Sequence, residues 1–165
     1  MIHELEQLII DKLTPIVADV NGVEYVVSEN DGSMITEIPD PEDSENVKKL
    51  LQPSVIVDYE STELEAQKAR TSSPNFLPSP YAVEYTFNIT VWQPRGRAYG
   101  QFDNVIKRVL TLPKVMFEDE TQRNREYMWD SMSGDEFDAT KYEASRHLTM
   151  VLKVTETGVD LLNLV

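Results

Sequence analysis

The chain contains no cysteine. Disulfides, thiolate nucleophiles and Cys-ligated zinc are therefore excluded. Histidine is nearly as scarce, with only His3 and His147 near opposite ends of 165 residues. Neither is expected to have a second metal-type ligand placed beside it by helical or strand spacing, so no metal site is assigned. No G-x-S-x-G elbow occurs, and "DGS" at Asp31–Ser33 reads as a turn. Glycine is sparse, at six residues. "RGRAYG" (Arg95–Gly100) has two of them at a strand-to-helix junction, but it fits neither the Rossmann nor the P-loop spacing.

Positive charge is also in short supply. Fifteen Lys and Arg face 29 Asp and Glu, for a net charge of −14 and a sequence pI near 4.4. Such a surface repels phosphate and disfavours nucleic-acid binding. A nuclease-like Pro-Asp is present at Pro39-Asp40, but no E-x-K or D-x-K accompanies it. "DSMSGDEFD" (Asp130–Asp138) is acidic yet lacks the spacing and closing Glu of a calcium loop. No run approaches the roughly 18 apolar residues of a membrane span. "MIHELEQLII" has no basic leader, and acids interrupt its apolar residues. A soluble protein made in the cytoplasm is expected. No catalytic, cofactor-binding or metal residue is assigned, no cofactor is implied, and the chain is read as a non-enzyme.

What the sequence does contain is periodicity. Ile2, Leu5, Leu8, Ile9, Leu13, Ile16, Val17 and Val20 recur at three- and four-residue steps, which predicts a helix. Pro15 predicts a kink or break near Thr14, and Asn21-Gly22 ends the element. "VEYVVSE" and "SVIVDYE" read as short strands. Residues 29–52 form a long connection, with seven acids and no base between Glu29 and Asn46. Residues 61–80 form a second, in which "STELEAQKAR" has helical character and three prolines follow. Long loops of this kind are usually functional or disordered.

Tyr81, Val83, Tyr85, Phe87, Ile89 and Val91 then alternate with polar residues, predicting a long strand with one core face and one wet face. Twelve such residues span roughly 40 Å, more than a small sheet is expected to pair internally. Ala98, Tyr99, Phe102, Val105, Ile106, Val109 and Leu110 predict a helix that Pro113 ends. From Lys114 to Lys141 the chain reads as irregular, apart from a strand at "REYMWDSM". "EASRHLTMVLKVTE" is the last strand, and residues 158–165 form an apolar tail. The sum is one α+β domain over residues 1–165. Its sheet is mostly antiparallel, with the N-terminal helix and a second amphipathic helix packed on one face.

The weight then falls on binding and assembly. Trp92, Arg95, Arg97 and Tyr99 cluster after the long strand, and Trp, Tyr and Arg are enriched at interface hot spots. They are candidate subunit-interface residues, with Trp92 equally placed to cap the core. Leu161, Leu162 and Leu164 of the tail join them. Glu37, Asp40, Glu42, Asp43 and Glu45 form an acidic segment suited to pair with a neighbour's arginines or to face a lumen.

The order of "MIHELEQLIIDKL", "PSVIVDYES", "YTFNITVWQ", "RGRAYG" and "YGQFDNVIKRVLTL", closed by a final strand, resembles the tail-terminator or tail-completion proteins of tailed bacteriophages. Related neck proteins share that architecture. The resemblance covers most of the chain and is one of order and texture. It implies a homo-oligomeric ring, commonly a hexamer, without catalytic residues. Such a ring caps the tail tube, docks to the head connector or neck proteins, and resides in the virion. Its negative lumen would let DNA pass without specific binding. The alternatives are another neck or tail-tube-like ring component, or an acidic non-catalytic binding module.

Overall fold

A computed structural model describes residues 2–30, 53–66, 81–93, 99–137 and 145–159. The first helix, α1 (Ile2–Ile16), buries Leu5, Ile9 and Leu13 as its periodicity requires. Pro15 lies in its final turn, and the helix stops one residue later. The chain then reverses at Asn21-Gly22. Both residues have positive φ, 53° and 82°, and Val20 and Val23 exchange backbone hydrogen bonds of 2.8 and 3.1 Å across them. This is the two-residue reversal in which left-handed backbone suits Asn-Gly. The Asp19 carboxylate accepts the Gly22 N–H at 2.8 Å.

Five strands form one sheet: β1 (Val26–Glu29), β2 (Ser54–Ala66), β3 (Tyr81–Gln93), β4 (Arg125–Phe137) and β5 (Ser145–Val159). Their spatial order is β1-β2-β3-β5-β4. Only β1–β2 is parallel, and the other three pairings are antiparallel. Two further helices, α2 (Tyr99–Val109) and α3 (Leu112–Glu118), complete the α+β domain.

One face of the sheet carries Val55, Val57, Val83, Tyr85, Phe87, Ile89, Val91, Met150, Leu152 and Val154. All are buried in a single core with Val105 and Val109 of α2, Leu112 and Met116 of α3, and the α1 stripe. The three helices therefore share that face. Polar ties fix their order. Arg108 of α2 donates to the Asp19 carbonyl at 2.7 Å and reaches that of Ile16 at 3.4 Å. This satisfies carbonyls at and beyond the C-terminal end of α1, whose last turn has no basic residue of its own. The Trp129 Nε1–H donates to the Leu110 carbonyl between α2 and α3 at 3.2 Å.

Several expectations are corrected. β2 continues through Ser61–Ala66, where a loop of helical character was expected. Its thirteen residues pair with β3 across a bulge at Tyr59/Ser61. β3 is consequently matched along its length within the chain, by β2 on one side and β5 on the other. It needs no partner subunit to complete it. Its second face is also not wet at the centre. Thr86, Thr90 and Trp92 are buried there, and the Thr90 and Thr149 hydroxyls hydrogen-bond at 3.0 Å. A central strand is shielded by neighbours on both flanks, and threonine is short enough to be covered by them.

Pro113 does not end helical structure. It falls in the first turn of α3, where its missing N–H costs nothing. Residues 125–137 are one long strand, so the acidic stretch from Asp130 to Phe137 is sheet and not a calcium loop. β5 runs to Val159, taking two residues from the expected tail. Residues 31–52, 67–80 and 160–165, with most of the expected loops and the tail, lie outside the described residues. Among the described residues no helix is long and apolar enough to cross a membrane.

Candidate assembly edges and polar clusters

A sheet of five strands has two edges, and here both are long. β1 covers only Ser54–Val57 of β2. Beyond it, Asp58–Ala66 pairs with β3 alone among the described residues. On the opposite side β4 pairs with β5 and, among the described residues, with nothing else. Such edges present a row of backbone donors and acceptors that no other strand among the described residues takes up. Apolar side chains are exposed along them. Met128 and Met132 of β4 are 60% and 54% exposed, and Leu64 of β2 is 53% exposed. Bulges at Tyr59/Ser61 and Trp129/Ser131 bend both strands. Neither edge was identified from sequence, because an edge is a property of pairing and not of local pattern. The exposed Met128 and Met132 within "REYMWDSM" were the available signal.

The residues singled out from sequence are dispersed. Trp92, next to last in β3, lies on the face opposite the helices, is 7% exposed and has a partner within the chain. That agrees with capping and leaves it little surface for a neighbour. Tyr99 opens α2. Arg95, Arg97, Leu161, Leu162, Leu164, Glu37, Asp40, Glu42, Asp43 and Glu45 lie outside the described residues. His147 is opposite Trp92 in the β3–β5 register and opposite Asp135 in β4–β5.

A polar cluster closes the end of the β4–β5 pair. The buried Gln122 carbonyl oxygen accepts from the Tyr127 hydroxyl at 2.7 Å and from Arg125 Nη1 at 2.9 Å. Arg125 Nε lies 3.7 Å from the Glu156 carboxylate, which also accepts from Asn124 Nδ2 at 3.0 Å. Burial pushes the Tyr127 phenol up, so it stays protonated at neutral pH and serves as a donor. Tyr85 is raised by burial too, then by the charge of Glu156. Phenols held in that form cannot act as bases at neutral pH. The cluster ties Gln122 to β4 and Asn124 to β5, while Arg125 Nε and Glu156 Oε2 stay buried without a hydrogen-bond partner among the described residues, 3.7 Å from each other.

Asp119 joins α1 to the end of α3. Its carboxylate accepts Lys12 Nζ at 2.9 Å and the Thr121 N–H and hydroxyl at 2.9 and 2.7 Å. Lys12 first, and then Thr121, lower its pKa to about 2. A depressed carboxyl contributes stability that is complete above its unfolded value, near 3.8, and is lost as pH falls to about 2. Asp119→Asn should therefore be less stable than wild type at pH 5, with the gap closing between pH 4 and 2. Urea midpoints across that range would check this, and a constant gap would show that the charge is irrelevant.

The sequence expectation for His3 is corrected as well. Its ring nitrogen and the carboxylates of Glu6 and Glu29 lie within 4.8 Å of one another. His3 and Glu6 are three apart on α1, one helical turn, and Glu29 ends β1. Burial, then a hydrogen bond to and repulsion from Glu29, raise the Glu6 pKa. The i,i+3 spacing was legible, but the contribution of Glu29 required the fold. No protein-family model matches the chain, and no curated protein is significantly similar to it.

Proposed function

We propose that this protein is a structural subunit of a tailed-bacteriophage virion, forming a ring that terminates or caps the tail tube and joins it to the head connector. The observation that carries the reading is the pair of long edges on opposite sides of one sheet. A subunit that adds one edge to the opposite edge of a copy makes a heterologous contact, which gives a ring when the rotation closes. The exposed methionines of β4 supply apolar surface for that contact. The order of segments in the sequence also resembles that of tail-terminator and neck proteins, a resemblance that implies a hexamer as the ring. Tail-tube protein and neck proteins are its partners in this reading. DNA passes through a lumen that the net charge of −14 keeps repulsive.

Sedimentation of the purified chain, alone and with isolated tail tubes, tests the proposal. The expected result is a closed oligomer, six copies in the simplest case, or density at one end of the tubes by electron microscopy. A chain that stays monomeric at high concentration and ignores the tubes overturns it.

A further inference from the structure

We propose that His3, Glu6 and Glu29 bind a borderline divalent transition-metal ion, zinc in the first instance, which fastens the first turns of α1 to β1. The donors converge from two elements. His3 and Glu6 project from one helical turn, the i,i+3 relation by which helices present paired metal ligands. Glu29 arrives from the end of β1, over which α1 packs. Their ligand atoms already lie within 4.8 Å of one another. Two donors on one zinc ion, each at about 2.0–2.2 Å, stand at most roughly 4 Å apart. The remaining closure is a small side-chain rotation, and His3 and Glu29 are exposed and able to make it.

The electrostatics favour a cation. The Glu6 and Glu29 carboxylates stand close together, where like charges repel, with the His3 ring beside them. Among the described residues no lysine or arginine pairs with Glu6 or Glu29. A dication bound between the carboxylates replaces that repulsion with attraction. The imidazole sets the class of ion. Magnesium and calcium prefer all-oxygen shells, whereas one imidazole with two carboxylates suits zinc and its neighbours. The site is independent of ring assembly and would exist in a monomer.

The test is calorimetric titration of the full, chelator-treated chain with zinc chloride, paired with thermal melts. One ion per chain is expected, and the melting temperature should rise by roughly 5–10 °C at about a hundred times the dissociation constant. His3→Ala and Glu29→Gln should each weaken binding at least tenfold and abolish the shift. Both residues are exposed, so both variants should fold. His147→Ala should leave binding unchanged, and magnesium should produce no shift. The proposal is overturned by the absence of saturable binding, by wild-type affinity in both site variants, by loss of binding in His147→Ala, or by an equal response to magnesium.

Discussion

Met128→Lys combined with Met132→Lys should leave the monomer folded and abolish assembly. Both side chains stand on the edge strand β4, 60% and 54% exposed, so replacing them removes almost no core contact. Exposed substitutions of this kind usually change stability by less than about 0.5 kcal/mol. An edge lysine is also the device by which sheet proteins prevent edge-to-edge pairing, because its charge cannot be buried unpaired against a neighbouring strand. If each position contributes roughly 2 kcal/mol to the contact, the association constant falls about a thousandfold. Phe117→Lys is the matched control. Phe117 is more exposed still, at 79%, but it is carried by helix α3 and not by an edge strand. It should assemble normally. Sedimentation would report the mass and circular dichroism the fold. Rings formed by the double variant, or lost only in the Phe117 variant, would remove β4 from the interface.

The elements with a strong period were legible in the sequence. α1, β3 and α2 each carry an apolar stripe whose spacing fixes the core face, although β3 also buries Thr86, Thr90 and Trp92 on its other face. β2 was harder to read because "STELEA" has only Leu64 and Ala66 as apolar residues, too short a pattern to distinguish a strand from a helix or a loop. It is strand because β3 lies beside it, residue for residue, from Thr62–Tyr85 to Ala66–Tyr81. α3 was hidden by Pro113, since proline reads as a stop when its position within a turn is unknown. The same partial legibility applies to the candidate sites. The sequence pointed to Trp92, whose burial reflects the end of a central strand. It missed the edges, which depend on how separate segments pair, and both carboxylates beside His3, of which only Glu29 depends on the fold.

Phe87→Ala should be the most damaging single substitution in the core, costing about 3–5 kcal/mol. Phe87 is fully buried near the middle of the central strand, opposite Tyr59 of β2 and Leu152 of β5. Its ring meets that of Tyr59 edge-on, with centroids 5.8 Å apart and planes at 67°. Flanking strands hold the position from both sides, so the cavity left by alanine cannot collapse without disturbing two registers. Domains of this kind have only about 5–15 kcal/mol to lose. Urea unfolding should show a lower midpoint with an unchanged slope, because the surface exposed on unfolding is nearly the same. A loss below about 1 kcal/mol would mean that the β2–β3–β5 core is not packed as described. Phe87→Leu and Tyr59→Leu, singly and together, separate the ring contact from simple burial. The expected coupling is about 0.5–1.5 kcal/mol. The comparison bears on assembly as well. Tyr59 borders the bulge at Tyr59/Ser61, after which β2 continues with β3 as its one strand partner among the described residues. If the aromatic pair sets the course of that edge, the leucine variants should lose assembly in proportion to the coupling and not to total stability. Assembly that tracks stability alone would confine the pair to the core.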